Sequence, residues 1–247
     1  QAWATKEARA IMTLLTIIQD ACDEIGVAKP ASVVGSSDQT AIQMLALANR
    51  EGKELARKYE WTALQNIHSF NTSNGTASYA LPSTGDTPLR IIEDTVWDNT
   101  NNTKIGGPAM PNEWATLQNG ITSLSDLDSV FRVYGKLFYL FPTPTSTRAI
   151  KYDFIIENWC ESSGGTDQAA WAADTDTGLL DEHLMTLGII YRFKKAKGLP
   201  YEVDFNQYMA ECSKAAARDG GRPLLNLSRG SISDVVLGGN VPDTGFG

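Results

Sequence analysis

The sequence predicts an α+β protein: N-terminal and C-terminal helix pairs forming a helical bundle, a central, mainly antiparallel β insertion, and an extended C-terminal arm. Three observations carry that prediction. Apolar residues recur at steps of three and four in the first and third parts of the chain, the period shortens to two between them, and a segment rich in Gly, Ser and Asn follows. The corresponding segments are 1–62 for the first helices, 63–160 for the β insertion, 161–219 for the second helices and 220–247 for the arm.

The first helix is read from Glu7 to Ile25, because Ile11, Leu14, Leu15, Ile18, Cys22 and Ile25 make one apolar stripe. Gly26 offers a left-handed cap, and Pro30 forbids resumption. The second helix runs from Asp38 to Tyr59. Ser36 and Gln39 have capping-box spacing, and Leu45, Ala48, Gly52, Leu55 and Tyr59 form the inward seam. The small Ala48 and Gly52 predict the close approach of another helix, which must offset about 1 kcal/mol of helix propensity lost at the glycine.

In the middle of the chain, Ile67 to Phe70 and Ala77 to Leu81 flank Asn74-Gly75, a dipeptide suited to a tight hairpin. Leu89 to Trp97 reads as a further strand, and Ser129 to Tyr134 with Lys136 to Phe141 as a second hairpin about Gly135. Pro142 and Pro144 end that strand, since neither can donate a ladder hydrogen bond. Ile150, Tyr152, Phe154 and Ile156 then alternate with Lys151, Asp153 and Ile155, giving one apolar and one mixed face.

Helical period returns after Gly178. Leu180, Leu184, Leu187 and Tyr191 form a stripe, and Arg192, Lys194, Lys195 and Lys197 are placed to complement the helix dipole. Gly198 and Pro200 stop this helix. The last helix is expected to start at Asp204 as its cap, with Gln207 three residues on, and to end at Asp219-Gly220-Gly221. Phe205, Tyr208, Cys212 and Ala215 share one of its faces.

The chain has 247 residues, with 29 Asp and Glu against 21 Lys and Arg, a net charge of −8. That balance argues against a nucleic-acid binder, which needs clustered Lys and Arg to displace counterions. No apolar run reaches the roughly 18 residues of a membrane span. Ile11 to Ile18 has helical spacing and no small-x-small cleavage site, so the chain reads as cytosolic at synthesis and the Asn71, Asn74, Asn101 and Asn226 sequons as chance matches. Cys22, Cys160 and Cys212 lack C-x-x-C spacing and read as small buried hydrophobes.

Candidate chemistry is sparse. His68 falls in a strand and His183 in the first turn of a helix beside Asp181 and Glu182, and no Gly-x-Ser-x-Gly elbow presents a serine to either. Asp174, Asp176 and Asp181 resemble a calcium loop, but its sixth and twelfth positions hold Leu179 and Met185 instead of Gly and Glu. These acids are expected to face a helix N-terminus. Gly106-Gly107 and Gly164-Gly165 are isolated turn pairs rather than phosphate loops. A carboxylate pair for glycoside hydrolysis would have no sequence spacing. Trp61, Trp97, Trp114, Trp159 and Trp171 fit either a sugar site or core and interface anchors. No catalytic residue, metal ligand or cofactor is assigned, and the chain reads as a non-enzyme. After Gly220, Leu224, Leu225, Leu227, Val235, Val236 and Leu237 are scattered in a segment that reads either as a disordered terminus or as an arm that orders on a partner.

Three stretches together resemble one family. Phe131-Arg-Val-Tyr-Gly-Lys-Leu-Phe-Tyr-Leu-Phe-Pro-Thr-Pro, followed by Ile150-Lys-Tyr-Asp-Phe-Ile-Ile-Glu-Asn-Trp159, is similar to the central strands of tailed-phage head-to-tail adaptors. Asp174 through Tyr201 resembles their C-terminal helix region, and Met12-Thr-Leu-Leu-Thr-Ile-Ile-Gln-Asp-Ala-Cys-Asp-Glu-Ile-Gly-Val the start of their first helix. The family includes connectors and tail tubular proteins of the A type, and the resemblance spans residues 12 to 219.

The resemblance implies a virion protein at the head–tail junction: a dodecameric ring docked under the portal. That ring would extend the DNA channel without sequence-specific DNA binding and give a platform to a tail nozzle or other tail proteins. No membrane partner is expected, since no apolar run is long enough to span a membrane. The resemblance also implies a portal-binding arm, for which Arg222, Leu224, Leu225, Leu227, Arg229, Val235, Val236 and Leu237 are the contact residues. The alternative reading is a receptor- or carbohydrate-binding tail component that uses exposed tryptophans and the β region.

Overall fold

The computed structural model describes residues 13–83, 87–120 and 129–219. In chain order, helices α1 (Leu14–Ile25) and α2 (Gln39–Lys58) precede strands β1 (Gln65–Asn71), β2 (Ser78–Ala80), β3 (Pro88–Ile91), β4 (Trp97–Asp98) and β5 (Thr103–Lys104). Helix α3 (Pro111–Gly120) leads to β6 (Val130–Tyr134), β7 (Leu137–Phe141) and β8 (Ala149–Ile156). Three short strands, β9 (Cys160–Glu161), β10 (Asp167–Gln168) and β11 (Thr177–Gly178), come before helices α4 (Glu182–Ala196) and α5 (Glu202–Asp219). The fold is α+β. It divides into two compact units, whose described residues are 13–65, 87 and 156–219 in the first and 66–83, 88–120 and 129–155 in the second.

The first unit is helical, and α4 is its centre, packed by α1, α2 and α5. Every residue from Leu184 to Phe193 is buried. The stripe of four seen in the sequence was therefore too narrow, because a helix surrounded by others is apolar on all sides. On α1, Leu14, Ile17, Ile18, Ala21 and Cys22 are buried, and Gly26 takes φ 77° to close the helix with N–H bonds to Cys22 and Asp23 carbonyls. The predicted start at Glu7 lies outside the described residues.

On α2 the cap is Asp38, whose carboxylate accepts from Thr40 N–H at 3.1 Å, while Ser36 Oγ accepts from Asp38 N–H. The capping-box reading of Ser36 with Gln39 does not hold, because Gln39 is already the first helical residue. The buried face runs through Ala41, Met44, Ala48, Glu51, Gly52, Leu55 and Ala56, so Met44 takes the place expected of Leu45. What lies against Gly52 is not a helix but the Trp159 ring, which a Cβ there would overlap. The close helix contact is at Gly188 of α4, where a Cβ would overlap the Glu51 carboxyl group.

Helix α5 starts two residues before the expected cap. Asp204 pairs with Lys194 of α4 at 2.7 and 2.8 Å instead of capping. Tyr208, Cys212 and Ala215 are buried as expected, whereas Phe205 stays 38% exposed with its ring edge on Tyr191. The carboxylate of Asp219 accepts from Thr62 N–H at 2.7 Å. A small sheet ordered β10-β9-β11, not anticipated from the sequence, carries Trp159, which meets Trp171 edge-on at 5.1 Å.

The second unit holds two sheets, one ordered β1-β8-β4-β5 with β3 also on β8, the other β2-β7-β6. The Asn74-Gly75 turn forms, with Gly75 at φ 75°, but it closes no hairpin. The chain bonds Arg148 through Thr72 N–H, then accepts from Leu140 N–H at Ala77, and so passes from one sheet to the other. The strand read over Leu89 to Trp97 is broken at Asp94, which sits at φ 66°. The β6–β7 hairpin forms as expected, with Gly135 at φ 59° and Lys136 at φ 63°, the twist-matched two-residue turn. Its inner face stacks Phe131 on Phe138 at 5.0 Å and Phe138 on Tyr152 at 5.4 Å, with Phe70 edge-on.

Helix α3 was missed. Pro111 opens it and the Glu113 carboxylate accepts from Met110 N–H, signals of a helix start hidden by an apolar cap and by only two inward residues, Trp114 and Leu117.

Gly188→Ala should destabilise the first unit. Alanine gains about 1 kcal/mol of helix propensity, but overlap with Glu51 costs about 1–3 kcal/mol and pushes a buried charge off its partner. A urea or thermal melt checks this: a lowered midpoint is expected, and a raised one contradicts the packing.

Candidate functional site

The strongest electrostatic feature of the first unit is a charge cluster between α2 and α4. Arg192, 8% exposed, donates from Nε to Glu51 Oε2 at 2.6 Å and from Nη2 to Glu54 Oε2 at 2.7 Å. Glu51 is fully buried, while Glu54 is half-exposed and also accepts from Arg50 at 2.7 Å. The sequence placed Arg192 with Lys194, Lys195 and Lys197 as a cation that complements the helix dipole; it is instead buried, with Glu51 and Glu54 as its partners. Burial pushes the Glu51 carboxyl above the usual carboxylate range, and the Arg192 charge and the Tyr208 hydroxyl pull it back without cancelling that shift. Burial acts in the same sense on Glu54, but hydrogen bonds from Arg50 and Arg192 outweigh it and hold that carboxyl low. The arrangement ties α2 to α4 and works as a clamp.

The aspartates that resembled a calcium loop have separate structural tasks. Asp174 accepts from Val33 N–H at 3.1 Å, Val34 N–H at 2.8 Å and the Ser32 hydroxyl at 2.7 Å. Asp176 is buried and accepts from the N–H groups of Ala172 and Ala173 at 2.7 and 2.8 Å. Their backbone carbonyls receive the N–H groups of Leu15 and Leu14, so this loop completes the first turn of α1. Only Asp181 faces the helix end expected of all three, accepting from His183 N–H at 3.0 Å as the α4 cap. Burial alone would raise the Asp174 carboxyl, but the hydrogen bonds from Val34, Ser32 and Val33 hold it below the usual range.

The remaining candidates do not assemble into a reacting centre. His68 of β1 lies against Phe70 and against Tyr152 of β8, and burial lowers its pKa. His183 stands on α4. All three cysteines are free and buried, in α1, β9 and α5, and burial raises each thiol, Cys160 to about 12. Trp61, Trp114, Trp159 and Trp171 are buried; Trp97, 37% exposed, is the exposed one of the five considered for a sugar site. The arm residues Arg222, Leu224, Leu225, Leu227, Arg229, Val235, Val236 and Leu237 lie outside the described residues.

What the first unit offers is surface at the two ends of α4. Around its N-terminus, Asp20, Asp23 and Glu24 of α1 line a groove of about 450 Å³ with Asp181, Glu182, His183 and Thr186. Around its C-terminus, Lys195 and Lys197 rest over the rings of Tyr201 and Phe193, and Leu199, Val203 and Phe205 are exposed. Neither the composition nor the stripes of single helices reveal the groove, because it draws on two segments distant in sequence, 20–24 and 181–186. Among the described residues, no helix is long and apolar enough to cross a membrane, and no group of three or more His, Cys, Asp or Glu could hold a metal ion.

Residues 12–226 match the sequence model of the SU10 adaptor protein. No curated protein matches the chain.

Asp174→Ala should lower stability by about 2–3 kcal/mol at neutral pH, since several bonds to one carboxylate are lost and two N–H groups are left open. The folded carboxyl is held below its unfolded value, so its contribution is complete above about pH 4 and fades as pH falls through the lowered folded value. Melts of the two proteins across this range should converge toward acid; a constant gap contradicts the assigned role.

Proposed function

The chain belongs to the SU10 adaptor protein family, a family of phage head-to-tail adaptors, and from that premise we propose that it works as a non-enzymatic ring below the portal. The ring is a dodecamer that lengthens the DNA channel and presents a docking platform to a tail nozzle or other tail proteins. The observation that carries this reading is the extent of the match, residues 12–226, which takes in every described residue.

Physical features support it. A closed ring needs two unlike patches on each subunit, and a chain with a helical unit and a β unit carries surfaces of unlike character. The net charge of −8 suits a conduit that must let phosphate pass without gripping it. Burial of Trp61, Trp114, Trp159 and Trp171 counts against the carbohydrate-binding alternative, which needed exposed rings. The arm, with Arg222, Leu224, Leu225, Leu227, Arg229, Val235, Val236 and Leu237, is the portal-gripping element in this reading.

Removing residues 220–247 tests it. The truncated chain should keep its melting transition but fail to co-sediment with portal, whereas the intact chain should give a portal-bound species with the mass of a ring. Equal portal binding by both forms contradicts the arm, and a strictly monomeric intact chain in the presence of portal contradicts the ring.

A further inference from the structure

We propose that the two ends of α4 are the mating halves of one contact between neighbouring copies: the Lys195–Phe205 corner of one subunit seats in the acidic groove of the next. This deepens the adaptor reading and rests on it, by naming which surfaces of the helical unit meet. The corner is the more exposed apolar site of the unit. Val203 is 80% exposed and Leu199 47%, and among the described residues nothing covers either. Leu199, Val203 and Phe205 are exposed within seven residues of one another at the turn into α5, and apolar side chains grouped in this way favour a contact site.

Charge selects the occupant. At the corner, Asp204 is taken up by Lys194, while Lys195 and Lys197 hold their ammonium groups over aromatic rings and remain exposed. Glu202, which accepts from Tyr201 N–H, is the carboxylate beside them. The groove at the other end carries Asp20, Asp23, Glu24, Asp181 and Glu182 against His183 and the Lys29 that pairs with Asp23 at 2.6 Å. A basic, apolar knob and an acidic recess thus stand at opposite ends of a 15-residue helix, about 22 Å apart along its axis. Held at opposite ends of one helix, the two cannot meet within a subunit. Two copies can, head to tail, and that is the heterologous geometry from which rings close. Opposite charges at such a contact set its register and reject the reversed pairing.

Two charge-reversed proteins and their combination form the test. Lys195→Glu with Lys197→Glu, and separately Asp20→Lys with Glu24→Lys, change only exposed side chains, and unchanged melting confirms that each folds. Assembly is read by native mass and sedimentation of the full chain with portal. Each reversal alone should weaken ring formation by about tenfold or more, and the chain carrying both should regain it. A second arm, Val203→Asp, should weaken assembly with no change in the melt.

Rings that tolerate both reversals overturn the contact while leaving the adaptor reading intact. Loss that the combined protein does not rescue also overturns it, because the corner then meets a different partner. Failure of the unaltered chain to assemble at all overturns the adaptor reading, and this contact with it.

Discussion

A buried guanidinium at the centre of the helical unit constrains everything around it. Arg192 sits on the one helix that touches α1, α2 and α5, and its charge is tolerable there because Glu51 and Glu54 of α2 approach to 2.6 and 2.7 Å. Apolar packing alone tolerates sliding and repacking, but a buried charge bared by a shift of one turn is strongly destabilising. The pair therefore selects one register of α2 on α4. Gly188 belongs to the same constraint, since the Glu51 carboxyl occupies the space its side chain would need. The signs of the two carboxyl shifts fit this division of labour. Glu51 resists its own charge because it is buried, and Glu54, partly in solvent, carries its charge readily and shares the guanidinium.

With α4 held in register, the rest of the unit is tied to it by polar links that reach across long sequence distances. The Asp174–Asp176 loop fastens the start of α1 and the 32–34 segment, and Lys194–Asp204 fixes the angle at which α5 leaves the turn. The second unit is organised differently, by a run of nearly parallel rings through Phe131, Phe138 and Tyr152 between two sheets. A protein that acts by adhesion needs surfaces presented at fixed positions. Both devices, a charge clamp in one unit and ring stacking in the other, supply that rigidity.

Period and punctuation made much of this legible. The α2 limits, the Gly26 cap and the β6–β7 turn follow from local rules, because caps and left-handed turns are decided by the few residues that form them. Pairings were harder to foresee. Asn74-Gly75 specified a turn but could not specify that β1 and β2 would leave it for different sheets, which depends on β7 and β8 some sixty to eighty residues on. Arg192 looked like its neighbours Lys194 and Lys195, and only its distance from Glu51 in space, not in sequence, sets it apart. The expectation that Asp174, Asp176 and Asp181 face one helix N-terminus held for Asp181 alone for the same reason, since the donors to the other two are backbone N–H groups, which leave no trace in a motif. The acidic groove at the start of α4 was invisible because it is assembled from two distant segments, 20–24 and 181–186. The family resemblance, by contrast, was legible from whole stretches of strand and helix, and the match over residues 12–226 agrees with it.

The central claim is that this chain serves as a ring-forming piece of a phage neck. Electron cryomicroscopy of mature particles tests it most directly. The account predicts closed-ring density at the head–tail junction into which the helical unit fits, with the 220–247 segment running toward the portal. Finding the chain at the distal end of the tail, or missing from the particle, would contradict it.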